Sequence, residues 1–105
     1  MVTRSSTVFR AIADPTRREI LNLLRGRELT VGEIAAHFRC TRPAVSRHLR
    51  RLRAAGLVRC RRQGAARVCR LDPDPLRVVE DWLHDYRIFW RARLRELQRF
   101  AERTP

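Results

Sequence analysis

Apolar residues recur along this chain at two different spacings, and the change of spacing divides the chain into elements. Spacings of three and four indicate amphipathic helices, whereas short apolar runs between turn residues indicate strands. Gly26 and Gly56 each follow an apolar periodic segment, a position typical of a helix end. We predict helices at about 5–13 and 15–25, a short helix after Thr30, a helix from Thr41 to Gly56, strands at about 57–62 and 67–71, and a long helix at about 75–102.

Three of the predicted helices carry start signals. An Asp-Pro pair occupies positions 14–15, where Asp can cap a helix whose first position suits proline. Thr30, with Glu33 three residues later, has the spacing of a capping box. Thr41 can cap the next helix, and Pro43 then falls in its first turn, where a missing N–H costs nothing. The proline therefore marks the beginning of that helix.

The helix after Thr41 has an apolar side and a cationic side. Val45, Leu49 and Leu52 repeat at spacings of four and three, which predicts a buried stripe. The other side is short and polar at first and rich in arginine later. This division suits the second helix of a helix-turn-helix, whose N-terminal residues enter the DNA major groove while its back packs on the domain.

The two predicted strands are joined by a turn candidate at residues 63–66, which indicates a hairpin with arginines near its tip. A helix-turn-helix followed by a basic hairpin is a winged helix-turn-helix. We therefore predict a mainly α fold with a small β-hairpin wing, as a single domain over residues 1–105. Its parts are the helix-turn-helix at about 30–56, the wing at 57–71 and a dimerisation helix at 75–102.

The charge is concentrated in the middle of the chain. There are 24 basic and 11 acidic residues, a net charge of +13. Residues 29–71 hold eleven of the basic residues and one acidic residue, whereas residues 72–105 hold seven of each. A basic middle with a neutral end is typical of a polyanion-binding surface, the alternative being a generic solvated basic face.

We predict that this basic surface binds double-stranded DNA. Arg42 suits direct readout, because arginine pairs bidentately with guanine. Later arginines on the helix suit phosphates, and those of the hairpin suit phosphates or the minor groove. The predicted DNA-binding residues are Thr41, Arg42, Pro43, Ser46, Arg47, His48 and Arg50 on the helix, with Arg61, Arg62, Gln63, Gly64 and Arg67 in the wing.

The last helix carries more apolar surface than one small domain can cover, since a helix of this length extends about 40 Å. Its Trp and Tyr residues are also favoured in interface cores. The alternative is that it folds back on its own core. We predict a homodimer in which the first helix packs beside the last, with interface residues Val8, Phe9, Ile12, Leu76, Val79, Leu83, Tyr86, Phe89, Trp90, Leu94 and Leu97.

Four segments resemble the ArsR-type bacterial winged-helix repressors over roughly residues 7–73: "FRAIADPTRREILNLL", "LTVGEIAAHF", "TRPAVSRHLRRLRAAGLV" and "RRQGAARVCRLDP". The tail, "PLRVVEDWLHDYRIFWRARLREL", is similar to the subgroup of the sporulation-delay autorepressor. The resemblance implies a homodimeric repressor, built on the first and last helices, that blocks polymerase at a two-fold symmetric operator. It also implies that Gly64 turns the wing and that four helix residues face DNA, namely Thr41, Arg42, Ser46 and Arg47.

The metal-site residues of that family are missing. One family site uses cysteines in the first helix of the helix-turn-helix, but positions 29–33 hold no cysteine. Another needs paired histidines and carboxylates on the last helix, where His84 is the only histidine and follows Asp81 by three. We therefore expect no metal and no cofactor, and we interpret His37 and His48 as packing or DNA-proximal residues.

The three cysteines are Cys40, Cys60 and Cys69. If Gly64 and Ala65 form the hairpin loop, Cys60 and Cys69 lie directly opposite each other, at a separation that a disulfide can bridge. We interpret them first as small apolar residues of the wing. A thiol-redox switch is an alternative, and so is a soft-metal(loid) site with Cys40 as third ligand, because soft ligands select soft ions.

Other function classes fit less well. A sequence-blind DNA-compacting protein is compatible with the charge, but the polar start of the recognition helix argues against it. No nucleophile–base arrangement or glycine-rich phosphate loop indicates an enzyme. The chain has no membrane-length apolar run and no secretory signal, and the odd cysteine count suits a reducing compartment, so we expect a cytoplasmic protein. The sequence indicates neither an inducer nor an operator.

Overall fold

The computed structural model describes residues 3–103, which form five α-helices and one three-stranded sheet. The predicted mainly helical fold with a hairpin wing is confirmed. The elements are α1 (Arg4–Ile12), α2 (Pro15–Leu23), β1 (Leu29–Thr30), α3 (Val31–Ala36), α4 (Arg42–Ala54), β2 (Val58–Gln63), β3 (Ala66–Leu71), a 3₁₀ turn (Asp74–Leu76) and α5 (Arg77–Arg103).

All three predicted helix starts are confirmed by side-chain caps. Asp14 accepts a 3.0 Å hydrogen bond from the backbone N–H three residues later, at the start of α2. Thr30 and Glu33 form a complete capping box, in which each side chain accepts from the other's backbone N–H, at 3.1 and 3.0 Å. Thr41 accepts a 3.3 Å bond from a backbone N–H in the first turn of α4. These local bonds satisfy N–H groups that a helix start otherwise leaves unpaired.

The sheet contains one strand that the sequence did not predict. Its order is β1-β3-β2, with β3 in the centre. β1 has only two residues, Leu29 and Thr30, which pair with Cys69 and Val68. A two-residue strand has no periodicity, so only its long-range pairing reveals it. The predicted wing turn is confirmed: Gly64 has φ +63°, which glycine adopts readily, and Cys60 lies opposite Cys69.

The core lies between the helices and the inner face of the sheet. The predicted stripe of α4, Val45, Leu49 and Leu52, is buried at its centre. Cys69 and Leu57 join the stripe from the wing side. The other buried apolar side chains are Val8, Ala11, Ile20, Leu21, Leu24, Leu29, Ile34, Ala55 and Val58. The sheet and the recognition helix therefore share one core and are held at a fixed mutual orientation.

Helix α5 begins two residues later than predicted and has 27 residues. Residues Asp74–Leu76 form a 3₁₀ turn instead, in which Leu76 N–H donates to the carbonyl of Pro73 at 2.9 Å and Pro75 is buried. Phe9 of α1 packs edge-on against Trp82 of α5, with ring centroids 5.6 Å apart. Nevertheless, no residue of α5 within Arg77–Arg103 is buried. Along residues 3–103, no helix is both long enough and apolar enough to cross a membrane.

Candidate nucleic-acid interface

The beginning of α4 projects from the chain, as a recognition helix requires. Its back is anchored because Val45, Leu49 and Leu52 are 0–3% exposed. Most of the predicted front is open to solvent, and Ser46 is half-buried beside it. The exposed predicted residues of this helix are Thr41, Arg42, Pro43, Arg47 and Arg50. The buried stripe thus fixes which side of α4 is offered to a ligand.

Arg42 lies across the start of α3. Its Nη2 is 3.7 Å from the point where a Cβ on Gly32 would stand, which is an ordinary van der Waals separation, so the guanidinium group lies against the first turn of α3. Among residues 3–103, Arg42 makes no ion pair or side-chain hydrogen bond. Its five N–H donors are therefore available to an added acceptor. The sequence offered no signal that Gly32 lies beneath this side chain.

His48, which the sequence predicts to be a packing or DNA-proximal residue, lies at the side of α4 that faces α2. Its Nδ1 lies 3.8 Å from a carboxylate oxygen of Asp14 and 3.5 Å from a guanidinium nitrogen of Arg17. The side chain is 23% exposed and faces α2. The pKa of Asp14 is lowered, chiefly because its carboxylate accepts the capping hydrogen bond from the backbone N–H of Arg17. His48 thus helps to join α4 to α2.

The wing has two faces, and the predicted DNA-binding residues are divided between them. Successive strand side chains alternate, so Arg62 lies on the same face as Cys60, and Arg61 on the other. Arg62 and Arg67 are directly opposite each other across the strands, and both are exposed. Arg61 instead pairs with Glu28 and donates to Gln63 Oε1 at 3.3 Å. Arg61 and Gln63 therefore lie on the side away from Arg62.

Helix α4 and the Arg62 face of the wing enclose a narrow cleft. Its volume is about 80 Å³. Its lining residues are Val31, Ser46, Leu49, Arg50, Arg53, Cys60 and Arg67. Arg53 was not among the predicted site residues, although it follows Arg50 by three and therefore shares its helix face. The cleft joins the recognition helix and the wing into one continuous basic surface.

Arg62 and Arg67 repel each other, because like charges placed directly opposite on a sheet are destabilising. Neither side chain has an ion-pair or hydrogen-bond partner among residues 3–103. At the base of the wing Arg59 likewise faces Arg70, but Arg59 donates to Asp72 at 2.9 Å, and this bond lowers the pKa of the Asp72 carboxyl. One charge of the arginine pair at the base is therefore neutralised within the chain, whereas neither charge of the pair near the tip is.

The predicted dimer residues fall into three groups. Val8 is fully buried inside the chain, so its placement in an interface is corrected. Phe9, Ile12, Leu76, Val79 and Leu83 are half-buried where α1 and the start of α5 meet the core. The remaining five are strongly exposed along α5, namely Tyr86, Phe89, Trp90, Leu94 and Leu97.

Three further large apolar side chains of α5 are also exposed: Trp82, Ile88 and Phe100. Trp82 and Phe100 extend the exposed stripe, since each stands near whole helical turns from Phe89. Ile88 is two residues from both Tyr86 and Trp90, about 200° around the helix, so it lies on the opposite face. The exposed stripe therefore occupies one face of α5, and Ile88 is not part of it.

The cysteines occupy two separate places. Cys60 and Cys69 face each other across the wing with their sulfur atoms 2.7 Å apart. Burial raises the pKa of the Cys69 thiol to about 12. Cys40 is exposed in the connection between α3 and α4. No group of three or more His, Cys, Asp or Glu side chains within residues 3–103 is arranged to hold a metal ion, so the geometry of one chain does not support the alternative of a three-thiol site with Cys40.

Known proteins with similar sequences and structures are transcriptional regulators. Residues 14–59 match the family described as "Bacterial regulatory protein, arsR family". The transcriptional repressor SdpR of Bacillus subtilis is 38% identical over 77% of this chain and 90% of its own length. The HTH-type transcriptional regulator Rv2034 of Mycobacterium tuberculosis is 43% identical over 78% of this chain and 74% of its own. A crystal structure of an ArsR family transcriptional regulator superposes with a TM-score of 0.76 at 33% identity, over 87% of this chain and 97% of that one.

Proposed function

Because the chain belongs to the ArsR family, as its sequence motifs predicted, and is a DNA-binding transcriptional regulator with no catalytic role, we propose that it is a homodimeric repressor of a two-fold symmetric operator. In this proposal α4 of each subunit enters a major groove. The wing tip contacts the adjacent backbone, and α1 and α5 hold the two subunits together. Such a regulator acts on chromosomal DNA in the cytoplasm.

One structural observation supports the proposed DNA-binding face more than any other. The exposed start of α4 and the Arg62–Arg67 pair of the wing belong to one continuous surface, joined across the cleft that Arg50 and Arg53 line. DNA presents base edges in a groove flanked by two rows of phosphates. A helix with readout residues beside an unneutralised arginine pair is complementary to that arrangement.

Individual side chains have distinct proposed roles. Arg42 and Arg47 are offered to base edges or the nearest phosphates, because they occupy the first two turns of the recognition helix. Thr41, Pro43 and Ser46 shape that end of the helix. Arg50 reaches the phosphate backbone from the third turn. In the wing, Arg62 and Arg67 contact phosphates, and Gly64 turns the tip.

The homodimer is supported by the apolar stripe of α5. The large apolar side chains exposed on this helix are 45–71% open to solvent. Contiguous exposed apolar surface on this scale is typical of a protein interface, and aromatic residues are enriched at interface centres. A two-fold dimer presents two recognition helices, which is the reason for proposing a symmetric operator.

The experiment that tests this function is a binding titration of the reduced protein on the DNA immediately upstream of its own gene, beside a scrambled duplex of equal length. We expect a preference of at least about a thousandfold at near-physiological salt, the lower end for specific over non-specific binding. Two chains per bound duplex are expected from sedimentation of the complex. Two results together would instead indicate DNA compaction: equal affinity for the upstream and scrambled duplexes, and a genome-wide footprint without preferred sites.

Two variants distinguish the recognition of bases from the neutralisation of phosphates. Arg42→Ala should narrow the affinity gap between operator and scrambled DNA by about 1–3 kcal/mol, because alanine cannot pair bidentately with a base. Arg62→Ala should weaken binding to both duplexes equally and make the salt dependence shallower by about one unit for each phosphate that the variant no longer neutralises. Arg95→Ala, on α5, removes the same charge elsewhere and is the matched control. Equal losses of affinity for Arg42→Ala on both duplexes would remove Arg42 from base readout.

A further inference from the structure

The cysteine pair in the wing stands where the DNA-binding surface is assembled. Cys60 and Cys69 are cross-strand partners in the β2–β3 ladder, and their sulfur atoms are 2.7 Å apart. A disulfide needs about 2.0 Å between sulfurs and about 3.8 Å between Cβ atoms. Directly opposite residues already have Cβ atoms about 4.5–5.5 Å apart. The bond therefore requires a local approach of the two strands by about 1 Å and no refolding of the chain.

The two thiols differ in access. Cys60 is half-buried and lines both the 80 Å³ cleft against α4 and a broader groove of about 390 Å³ along the wing. Cys69 has no exposed surface and lies in the core. A small reagent can thus reach Cys60, while Cys69 is held behind it. Cysteines that react selectively are accessible and have positive surroundings, and Arg50, Arg53 and Arg67 line the same cleft.

We propose that Cys60 and Cys69 are a dithiol modification site that a small hydroperoxide oxidises to a cross-strand disulfide, and that this bond weakens the binding of the wing to DNA. The Cys60 thiolate attacks the peroxide oxygen, and the O–O bond breaks to give a sulfenic acid and an alcohol, or water from hydrogen peroxide. The Cys69 sulfur then attacks the sulfenic sulfur and loses its proton to the departing hydroxide. The products are the disulfide and one water, so the peroxide has taken two electrons from the two thiols.

The buried thiol is suited to the resolving step and not to the first attack. Because burial raises the pKa of Cys69 to about 12, this thiol stays protonated and does not react with peroxide directly. It loses its proton only as the sulfur–sulfur bond forms. This order of events assigns the sulfenic acid to Cys60.

The consequence for DNA binding follows from where the bond forms. Arg62 and Arg67 lie two residues from the cysteines on the same face, and the tip at Gly64 is four residues from Cys60, about 13 Å along the strand. When the strands are drawn together at Cys60 and Cys69, the outer part of the wing, residues 61–68, changes its orientation relative to α4. The cleft that aligns the wing arginines with Arg50 and Arg53 is then distorted, so recognition helix and wing no longer meet the backbone together.

The first experiment measures the chemistry and does not depend on the proposed function. The full-length protein is reduced, treated with hydrogen peroxide at a slight molar excess, and alkylated. We expect a loss of two hydrogens, one remaining alkylatable thiol at Cys40, and a linked pair of peptides containing Cys60 and Cys69. Cys60→Ser should abolish the link, and the matched control Cys40→Ser should retain it. Three alkylatable thiols after treatment, or a link that needs Cys40, would overturn the proposal.

The second experiment measures the consequence, which rests on the proposed function. Oxidised and reduced protein are titrated on a random-sequence duplex over a range of salt, because non-specific affinity reports phosphate contacts alone. Oxidation should weaken binding about tenfold and make the salt dependence shallower by about one unit for each phosphate that the oxidised wing no longer reaches. Cys60→Ser should bind as the reduced protein does, with or without peroxide. If the disulfide forms and affinity is unchanged, the regulatory consequence is wrong while the modification site stands.

Discussion

Helices α4 and α5 have similar sequence patterns, but their apolar stripes differ in burial. Each combines apolar residues at spacings of three and four with many arginines. The stripe of α4 is buried within the chain, at 0–3% exposure, whereas α5 has no buried residue within Arg77–Arg103. Periodicity along a helix thus identifies an apolar face, but it does not show whether that face is buried within the same chain.

The largest expected effect is on the free energy of unfolding, and it tests the burial of the α4 stripe. Leu52→Ala removes a fully buried side chain at the centre of the core, so the free energy of unfolding should fall by about 2–5 kcal/mol. Chemical denaturation followed by circular dichroism measures this change. A decrease below about 1 kcal/mol would mean that α4 is less firmly seated than its burial indicates.

The next effect tests whether α5 is covered by a second subunit. Trp90→Glu places a charge within the exposed stripe, so the dissociation constant of the dimer should rise at least about a hundredfold, or roughly 3 kcal/mol. Sedimentation at several protein concentrations measures it.

Ile88→Glu is the matched control for Trp90→Glu, because Ile88 is also more than half exposed but lies on the opposite face of the same helix. It should change the dissociation constant by no more than a few-fold. Equal effects of the two variants would show that the Trp82–Phe100 stripe is not the contact surface.

A smaller effect tests how α4 begins. Thr41→Ala removes the cap on the first turn and should lower the free energy of unfolding by about 1 kcal/mol. Thr41→Ser keeps an accepting hydroxyl and should recover most of that stability. Thermal unfolding of the two variants beside the unmodified protein measures the difference. If Ser and Ala variants were equally destabilised, the methyl group and not the cap would be responsible.

The smallest expected effect is the response of stability to acid, and it arises at the contact between α4 and the start of α2. The pKa of Asp14 is below its ordinary value of 3.8 in the folded chain, because the Arg17 N–H donates to the carboxylate. A lowered folded pKa stabilises the protein above the unfolded pKa, and that stabilisation is lost as pH falls through the folded pKa. The free energy of unfolding should therefore decline as pH falls below about 4.

Asp14→Asn should reduce the acid dependence, because asparagine keeps the capping oxygen but has no carboxyl to titrate. Denaturant unfolding at a series of pH values compares the variant with the unmodified chain. An acid limb that is equally steep in both would assign the pH dependence to other carboxylates, such as Asp72 beside Arg59.

Local signals predicted most of the fold. Each helix start that had a capping residue was found where expected, because a cap involves only residues three positions apart. The strand register was predicted from the turn at Gly64, since a two-residue loop determines which residues face each other. The two-residue strand β1 was missed because its existence depends on pairing with β3, about forty residues later.

The candidate site was predicted less completely than the fold. Residue types identified the exposed front of α4, but His48 belongs to the same helix and lies towards Asp14, the residue that caps α2. Alternation along β2 separates Arg61 from Arg62, yet the partner of Arg61 is Glu28, which precedes β1. Val8 was predicted to lie in the dimer interface because it is apolar and belongs to the first helix, but it is fully buried in the core of the chain. In each case the deciding contact joins elements far apart in sequence.

Short spacings in the sequence were enough to predict the five helices and two strands of the hairpin, the starts of three helices, and the concentration of positive charge in residues 29–71. They predicted that Cys60 faces Cys69 only on the condition that Gly64 and Ala65 form the turn, a condition that the structure meets. Three features became visible only in the folded chain: which arginines remain unpaired, that His48 faces α2, and that most of the apolar stripe of α5 is exposed within one chain. The physical reason is that solvent exposure and charge neutralisation are set by whatever packs alongside a residue, and those neighbours come from distant parts of the chain.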